Sequence, residues 1–324
     1  MKKAIVIGGY GHIGSYLVPK LVEEGGYEVT VISRGNKKPY NAHLPVWDKV
    51  KSIKCDRTKM AAEHKFGAMI AEMKPDLIFD AVSYNTEEIK ELCEPILADP
   101  DWAARTKLFH IGSIWVYGYK IASPVTEEQS RNAICDYGRG KAAVEKYLHE
   151  LSVAGKLNTT VIHPGHISGE GWYPINPQAN FNPQIYADII EGRELLLPDD
   201  GNATIHHVHS EDIAGLTMAC LAHPEASNGQ AFNATTKQAL TLRGFAELMY
   251  EHYGHSPRLS YLPFREFAEK VSPADAADTY EHIRRSPACS MEKTEKLLGF
   301  VPKYSSIETV ISAIEYKRER GELK

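Results

Sequence analysis

Ser113, Tyr137 and Lys141 are a hydroxyl, a phenol and an amine in an order that could do chemistry. Tyr137 and Lys141 lie four positions apart, so a helix brings both side chains to one face. A free tyrosine titrates near pKa 10, too high for a base at neutral pH. A neighbouring ammonium favours the phenolate. The three groups could then pass a proton to or from a hydroxyl while a bound ring moves the hydride. Spacing alone means little in a chain with 17 tyrosines, and Tyr16 with Lys20 repeats it as a decoy. Pro19 is expected to interrupt that decoy's segment. Ser113 upstream is what singles out Tyr137. Cys135, just before it, is read as packing rather than as a nucleophile, since no partner histidine is near in sequence.

A second constellation supports the first. Gly8, Gly11 and Gly14 follow the apolar run Ala4-Ile5-Val6-Ile7. A strand that ends in glycines and feeds a helix gathers backbone N–H groups and a helix N-terminus at one point, which favours a phosphate. The end of the second strand decides which dinucleotide fits. Ser33-Arg34-Gly35 carries no acid, and Lys37 and Lys38 follow. A guanidinium fork suits a 2′-phosphate, so NADP is expected over NAD. The plain alternative is a solvated Arg34, with the ribose held by backbone.

These residues need a scaffold, and the first half of the chain supplies its pattern. Strands are expected at Lys3–Ile7, Glu28–Ile32, Val50–Lys54, Leu77–Val82, Lys107–Gly112 and Thr159–His163. Helices are expected at 13–23, 66–73, 86–97 and 137–151. This alternation implies right-handed crossovers and a parallel sheet. The fold class is α/β, a Rossmann doubly wound parallel sheet with a smaller C-terminal α/β part. After Pro164 the texture changes. Gly165 to Pro183 is dense in Gly, Pro and Asn and reads as a long ordered loop. Further helices are expected at 213–221, 242–253, 291–298 and 307–320, and the charged tail 317–324 is expected to fray.

Composition narrows the class. The chain has 324 residues, a net charge of -5 and five cysteines without metal-like spacing. That excludes the electrostatic footprint of a nucleic-acid binder and suits free thiols in a reducing cytoplasm. No apolar stretch approaches a membrane span, and the start lacks a signal-peptide core, so a cytoplasmic protein is expected.

With these motifs in hand, the chain resembles an extended short-chain dehydrogenase/reductase of the NAD-dependent epimerase/dehydratase group. The carrying residues are the glycine turn, Cys55-Asp56-Arg57, Ser113 to Gly118, Tyr137 to Lys141, His163 to His166, Val208 to Ala214 and Leu298 to Pro302. The resemblance implies that Tyr137 is the general acid or base. It implies that Lys141 binds the nicotinamide ribose and lowers the Tyr137 pKa, and that Ser113 hydrogen-bonds the reacting oxygen. It extends the cofactor set to Tyr10, His12, Ile13, Asp56, Ala81, Val82 and Pro164. Residues 1–164 with about 209–224 would bind NAD(P), and 165–208 with 225–324 would bind substrate. A homodimer acting on a small molecule is implied too.

The departures concern substrate. The acid–base pair that dehydratases of this group place after the strand-five threonine is replaced by Ile114 and Trp115. The usual diphosphate-binding arginine falls at Ile205, and the usual arginine before Pro164 is His163. A smaller, neutral or weakly charged hydroxy or keto compound is therefore expected. Tyr84, Trp115, His166, Trp172, Tyr173 and His207 are candidates to line its pocket. His206, His207 and His209 lie close together, but no third ligand on a shared face is evident and no metal is expected. Two other functions stay open: an epimerase that retains its cofactor, and a non-catalytic dinucleotide sensor. Chloroplast RNA-associated members of the group resemble this chain near Ser33-Arg34-Gly35.

Overall fold

Short apolar runs and amphipathic helices alternate through the first half of this computed structural model, which describes residues 1–323. In chain order they are β1 (Lys3–Ile7), α1 (His12–Glu23), β2 (Glu28–Ser33), β3 (Lys51–Lys54), α2 (Arg57–Ala62), α3 (Phe66–Met73), β4 (Leu77–Asp80), α4 (Thr86–Leu97), α5 (Pro100–Arg105), β5 (Lys107–Ile111), α6 (Asp136–Val153) and β6 (Asn158–Pro164). The second half is more broken: β7 (His166–Ser168), α7 (Gln184–Ile190), β8 (Leu195–Pro198), β9 (Thr204–Ile205), β10 (His207–His209), α8 (Ser210–Ala222), α9 (Pro224–Ser227), β11 (Gln230–Ala234), β12 (Leu240–Thr241), α10 (Leu242–His252), β13 (Leu259–Leu262), α11 (Phe264–Ala268), α12 (Pro273–Ile283), α13 (Glu292–Leu298) and α14 (Ser306–Glu319).

Seven strands form one sheet in the order β11-β6-β5-β4-β1-β2-β3. Every neighbouring pair is parallel. The order turns back at β1, so the C-terminal ends of β1 and β4 border a crevice, where such sheets take their ligands. Strand pleat splits the core in two. Ala4 and Val6 of β1 face α1 and α8, with Leu17, Leu21, Ile213 and Leu216. Ile5 and Ile7 face α3, α4 and α6, with Ile70, Leu92 and Leu148. A third core joins α7, β8, α10 and α14 through Ile189, Leu197, Phe245, Tyr250 and Ile314.

The structure adds and corrects. β11 extends the sheet beyond β6, and the sequence reading has no strand there. In its run Gln-Ala-Phe-Asn-Ala only Phe232 favours a strand, and Asn and the two alanines disfavour one, so propensity gives a weak signal. Helix α1 runs straight through Pro19. Proline lacks the N–H that would bond the Ser15 carbonyl, and the Asn41 side chain donates to that carbonyl instead, at 2.8 Å. The segment after Pro164 is ordered as expected, with β7 inside it. Asn176, Asn180 and Asn182 hold it through side-chain hydrogen bonds. The tail does not fray through residue 323, because Leu323 buries into the third core and Lys317 pairs with Glu322; Lys324 lies outside the described residues.

Candidate active site

Helix α6 opens at the C-terminal edge of the sheet. Cys135 caps it, its Sγ accepting from the Gly138 N–H at 3.5 Å. Cys135 therefore has a capping role beyond the packing read from sequence. Tyr137 sits in the first turn and is 41% exposed, while Lys141, one turn on, is 1% exposed. Two glycines between them let the helix press against two loops. A Cβ on Gly138 would lie 2.7 Å from the Trp115 carbonyl oxygen, and one on Gly140 would overlap the Tyr84 carbonyl oxygen. The helix thereby carries Tyr137 between the rings of Tyr84 and Trp115, each 6.0 Å away.

The Lys141 ammonium is pinned. It donates to the carbonyls of Ser83 at 2.7 Å and Ile111 at 2.6 Å, and lies 4.8 Å from the Tyr84 ring centroid. One of its three hydrogens is left over. Burial pushes its pKa down to about 8, opposed by the charge of Asp80. Burial also raises the Tyr137 phenol above its usual range, and the neighbouring Ser113 hydroxyl pulls the other way. Ser113 follows β5 and accepts from the Trp115 N–H at 3.2 Å. Ser113, Tyr137 and Lys141 are thus brought together by β5 and α6, with Ser83 from the loop after β4.

Asp80, which sequence reasoning missed, shapes that loop. It ends β4 fully buried and accepts from the N–H groups of Val82 and Ser83. Burial alone would raise its pKa, but Arg57 and His110 hold it well below the carboxylate range. His110, 3.2 Å from it, is pushed down to about 4 by burial and by the Lys141 charge. The available signal was an acid ending an otherwise apolar strand.

The glycine turn has the shape a pyrophosphate needs. Gly8 has φ +85°, a conformation that favours glycine, and its N–H donates to the Ile32 carbonyl. A Cβ there would lie 2.9 Å from Val82 and 3.5 Å from Ala81, so those two residues border the turn. A Cβ on Gly14 would overlap the Gly9 backbone. Gly11 is the N-cap of α1, which has no side-chain cap and no acid in its first turn. Its leading N–H groups are left for an anion. These residues fit a dinucleotide.

The other expected cofactor residues sort by position. Ile13 is buried in the core, so only its main chain can face a phosphate. Tyr10 meets Trp47 edge-on at 5.8 Å. His12 stacks on Tyr40 at 5.1 Å and takes the edge of Trp172 at 3.9 Å; burial, with Lys37 and Lys317 nearby, pushes its pKa to about 3. Arg34 is exposed beyond β2. The stem of Lys54, missed in the sequence, packs 2.9 Å from where a Gly35 Cβ would stand, next in sequence to Arg34. Asp56 caps α2 by accepting from the Lys59 N–H. Pro164 is buried at the end of β6.

The substrate candidates separate into two groups. Trp115 leads from Tyr137 to His282, 5.4 Å away. His282 lies 5.1 Å from His166, which lies 6.2 Å from its strand neighbour His207. Tyr84 stands on the other side of Tyr137. Arg285, unnoticed in the sequence, is buried 3.9 Å from the Trp115 ring centroid, with Nε and Nη2 unpartnered. Trp172 and Tyr173 do not join them. Trp172 packs on His12, and the Tyr173 hydroxyl donates to the Glu322 carbonyl at 2.9 Å. His206 bonds the chain at both nitrogens, and His209 accepts from the Glu211 N–H while stacking on Tyr304. Among the described residues no three metal-ligating side chains stand together, and no helix is long and apolar enough to cross a membrane.

Known proteins share this fold. Residues 4–235 match the model of the NAD-dependent epimerase/dehydratase family. A 2'-dehydrokanamycin reductase of Streptomyces kanamyceticus is 23% identical over 84% of this chain and 73% of its own length. A UDP-glucose 4-epimerase of Lactobacillus helveticus is 24% identical over 96% of this chain and 95% of its own. A UDP-glucose 4-epimerase of Thermotoga maritima, solved with UDP-glucose, superposes with a TM-score of 0.74 at 20% identity, covering 98% of this chain and 99% of that one. The chain belongs to the NAD-dependent epimerase/dehydratase family and is an NAD(P)-dependent enzyme.

Proposed function

We propose that the protein is an NADP(H)-dependent oxidoreductase. It moves a hydride to or from a hydroxyl or carbonyl carbon of a small sugar-like or hydroxy/keto substrate, with Tyr137 as the acid or base. The observation that carries this reading is the clustering of Ser113, Tyr137 and Lys141, with a buried ammonium one turn on from a partly exposed tyrosine. When bound, the cofactor supplies or accepts the hydride. Tyr137 moves the proton at the substrate oxygen, Ser113 orients that oxygen, and Lys141 favours the phenolate with its charge. Its remaining hydrogen would hold the ribose. Gly8, Gly11 and Gly14 would cradle the pyrophosphate, with Ala81 and Val82 alongside. Arg34 and Lys54 would take the 2′-phosphate. Residues 1–164 with about 209–224 would form the cofactor part, and the remainder the substrate part.

The substrate reading draws on tautomers. His166 Nδ1 faces the His206 carbonyl and His207 Nε2 faces the Ile175 carbonyl, so both nitrogens carry hydrogens. The opposite nitrogens are buried, bare acceptors. They suit hydroxyl donors, as a sugar-like substrate offers, and Arg285 suits an acidic or carbonyl group on it.

A second reading is an epimerase that keeps its cofactor. It is favoured by the contacts of Tyr40 and Trp172 on His12, which would close over the phosphate turn. Denaturing the purified protein and assaying released nicotinamide separates the two. An empty site with measurable NADPH affinity supports the reductase, and stoichiometric nicotinamide supports the epimerase. A panel of free sugars and hydroxy and keto acids with both cofactors then tests the chemistry. Turnover undiminished in Tyr137→Phe ends both catalytic readings.

A further inference from the structure

We propose that His163 is a positioning residue for Ser113: as the Nε2–H tautomer, braced by Glu145 and Arg131, it fixes the main chain that presents the Ser113 hydroxyl to Tyr137. The proposal rests on the reading of Ser113 and Tyr137 as the proton-transfer pair. His163 lies on β6 and is fully buried. Its Nδ1 is 3.1 Å from the Ser113 N–H, which donates to it. A nitrogen that accepts carries no hydrogen, so the ring proton of neutral His163 sits on Nε2. That Nε2 is 3.2 Å from Glu145 Oε2, off the straight line of an ideal hydrogen bond. Glu145, on α6, accepts in turn from Arg131 Nε at 2.9 Å and from Nη2 at 2.5 Å. Arg131 is held by the carbonyls of Glu127 and Gln129 and by the Tyr117 ring at 4.9 Å.

The chain Arg131–Glu145–His163–Ser113 runs behind the reacting face and touches no substrate. It ties the residue after β5 to the same helix that carries Tyr137. A carboxylate that orients an imidazole, which in turn orients the next group, follows the logic of supporting hydrogen bonds in preorganised sites. Gly112 makes room for it, since a Cβ there would overlap the imidazole of His163. The arginine usual at this position in the family has five donors and no acceptor. It could not receive the Ser113 N–H, so the device depends on this chain's histidine. With the Ser113 N–H bound to His163 and its Oγ accepting from the Trp115 N–H, the hydroxyl hydrogen is left to aim at Tyr137 or substrate.

The test is spectroscopic and uses the whole chain with NADPH bound. Histidine 15N spectra, with His163 assigned by its loss in His163→Asn, are expected to show protonation at Nε2 and a bare Nδ1. A tyrosine 13Cζ spectrum, with Tyr137 assigned by its loss in Tyr137→Phe, reads the Ser113 contact. His163→Leu removes the acceptor and is expected to shift the Tyr137 signal, with NADPH affinity within twofold of the wild type. His163→Asn keeps an oxygen acceptor near the Nδ1 position and is expected to restore the signal. If His163→Leu fails to fold, His163→Gln takes its place, since it reaches Glu145 but sets no acceptor against the Ser113 N–H. Protonation at Nδ1, an unmoved Tyr137 signal, or equal shifts in the Asn variant and the acceptor-less variant would each overturn the proposal. Hydride transfer undiminished in Tyr137→Phe would sink the functional reading while leaving this geometry intact.

Discussion

At the scale of single residues, the site turns on two charges in unlike surroundings. Lys141 is buried and its pKa lies near 8, while Tyr137 is raised above its ordinary value. As pH rises through about 8 the free protein loses the Lys141 proton, and with it the charge that favours the phenolate. For alcohol oxidation, kcat/KM is therefore expected to turn down above about pH 8. A pH–rate profile checks this, and a flat profile to pH 10 would refute it. The stability sign is opposite. The folded pKa lies below that of a free lysine, so the unfolded chain binds more protons between about pH 8 and 10.5. Stability from this group rises with pH across that window, because below it the fold bears the cost of burying an ammonium. Tyr137→Phe removes the proton donor and is expected to lower turnover by about 10²- to 10⁴-fold. Arg34 is exposed, and solvent screens its charge. Arg34→Ala is expected to weaken NADPH by about tenfold, roughly 1.4 kcal/mol, and to leave NADH unchanged; titration with both nucleotides decides it, and equal losses would remove the case for NADP.

At the scale of elements, α6 positions the chemistry by lying closer to its neighbours than side chains permit. Gly→Ala within a helix ordinarily gains about 1 kcal/mol. At Gly140 the new methyl would overlap the Tyr84 carbonyl, and overpacking of this kind costs roughly 1–3 kcal/mol. The clash wins. Gly140→Ala is expected to lower the melting temperature and to cut activity more than stability, because α6 shifts under Tyr137. Calorimetry beside turnover checks it, and a stabilised, fully active variant would show that the helix has slack. The same element explains what the sequence could tell. The Tyr137–Lys141 spacing and the glycine turn were legible because both are local patterns set by one helix and one strand–helix turn. Asp80, Ser83, His163 and Arg285 were not, because their meaning lies in contacts between elements. The Ser113–His163 bond spans 50 positions, and no periodicity links its two ends. Trp172 and Tyr173 were misplaced for a related reason: aromatic residues in an irregular Gly-Pro loop carry no repeat to say which way they face.

At the scale of the whole molecule, the N-terminal turn and the loop after β7 are tied together. Tyr40, from the loop after β2, stacks on His12, its hydroxyl lies 3.3 Å from His12 Nε2, and Gly171 leaves room for the Tyr40 ring. Trp172 meets the same histidine, and the Tyr16 hydroxyl donates to Glu170. The adjoining Tyr173 reaches the folded tail at Glu322. One continuous run, 170–173, thus links the start of α1 to the third core. This run packs against His12 at the glycine turn, beside the place a bound cofactor would occupy. Trp172 is 38% exposed, so its removal forfeits an aromatic contact of about 0.5–1.5 kcal/mol rather than a core anchor. Trp172→Ala is therefore expected to leave the melting temperature nearly unchanged while NADPH dissociates about three- to tenfold faster in stopped-flow fluorescence. If this run does not gate the cofactor, the dissociation rate will match the wild type.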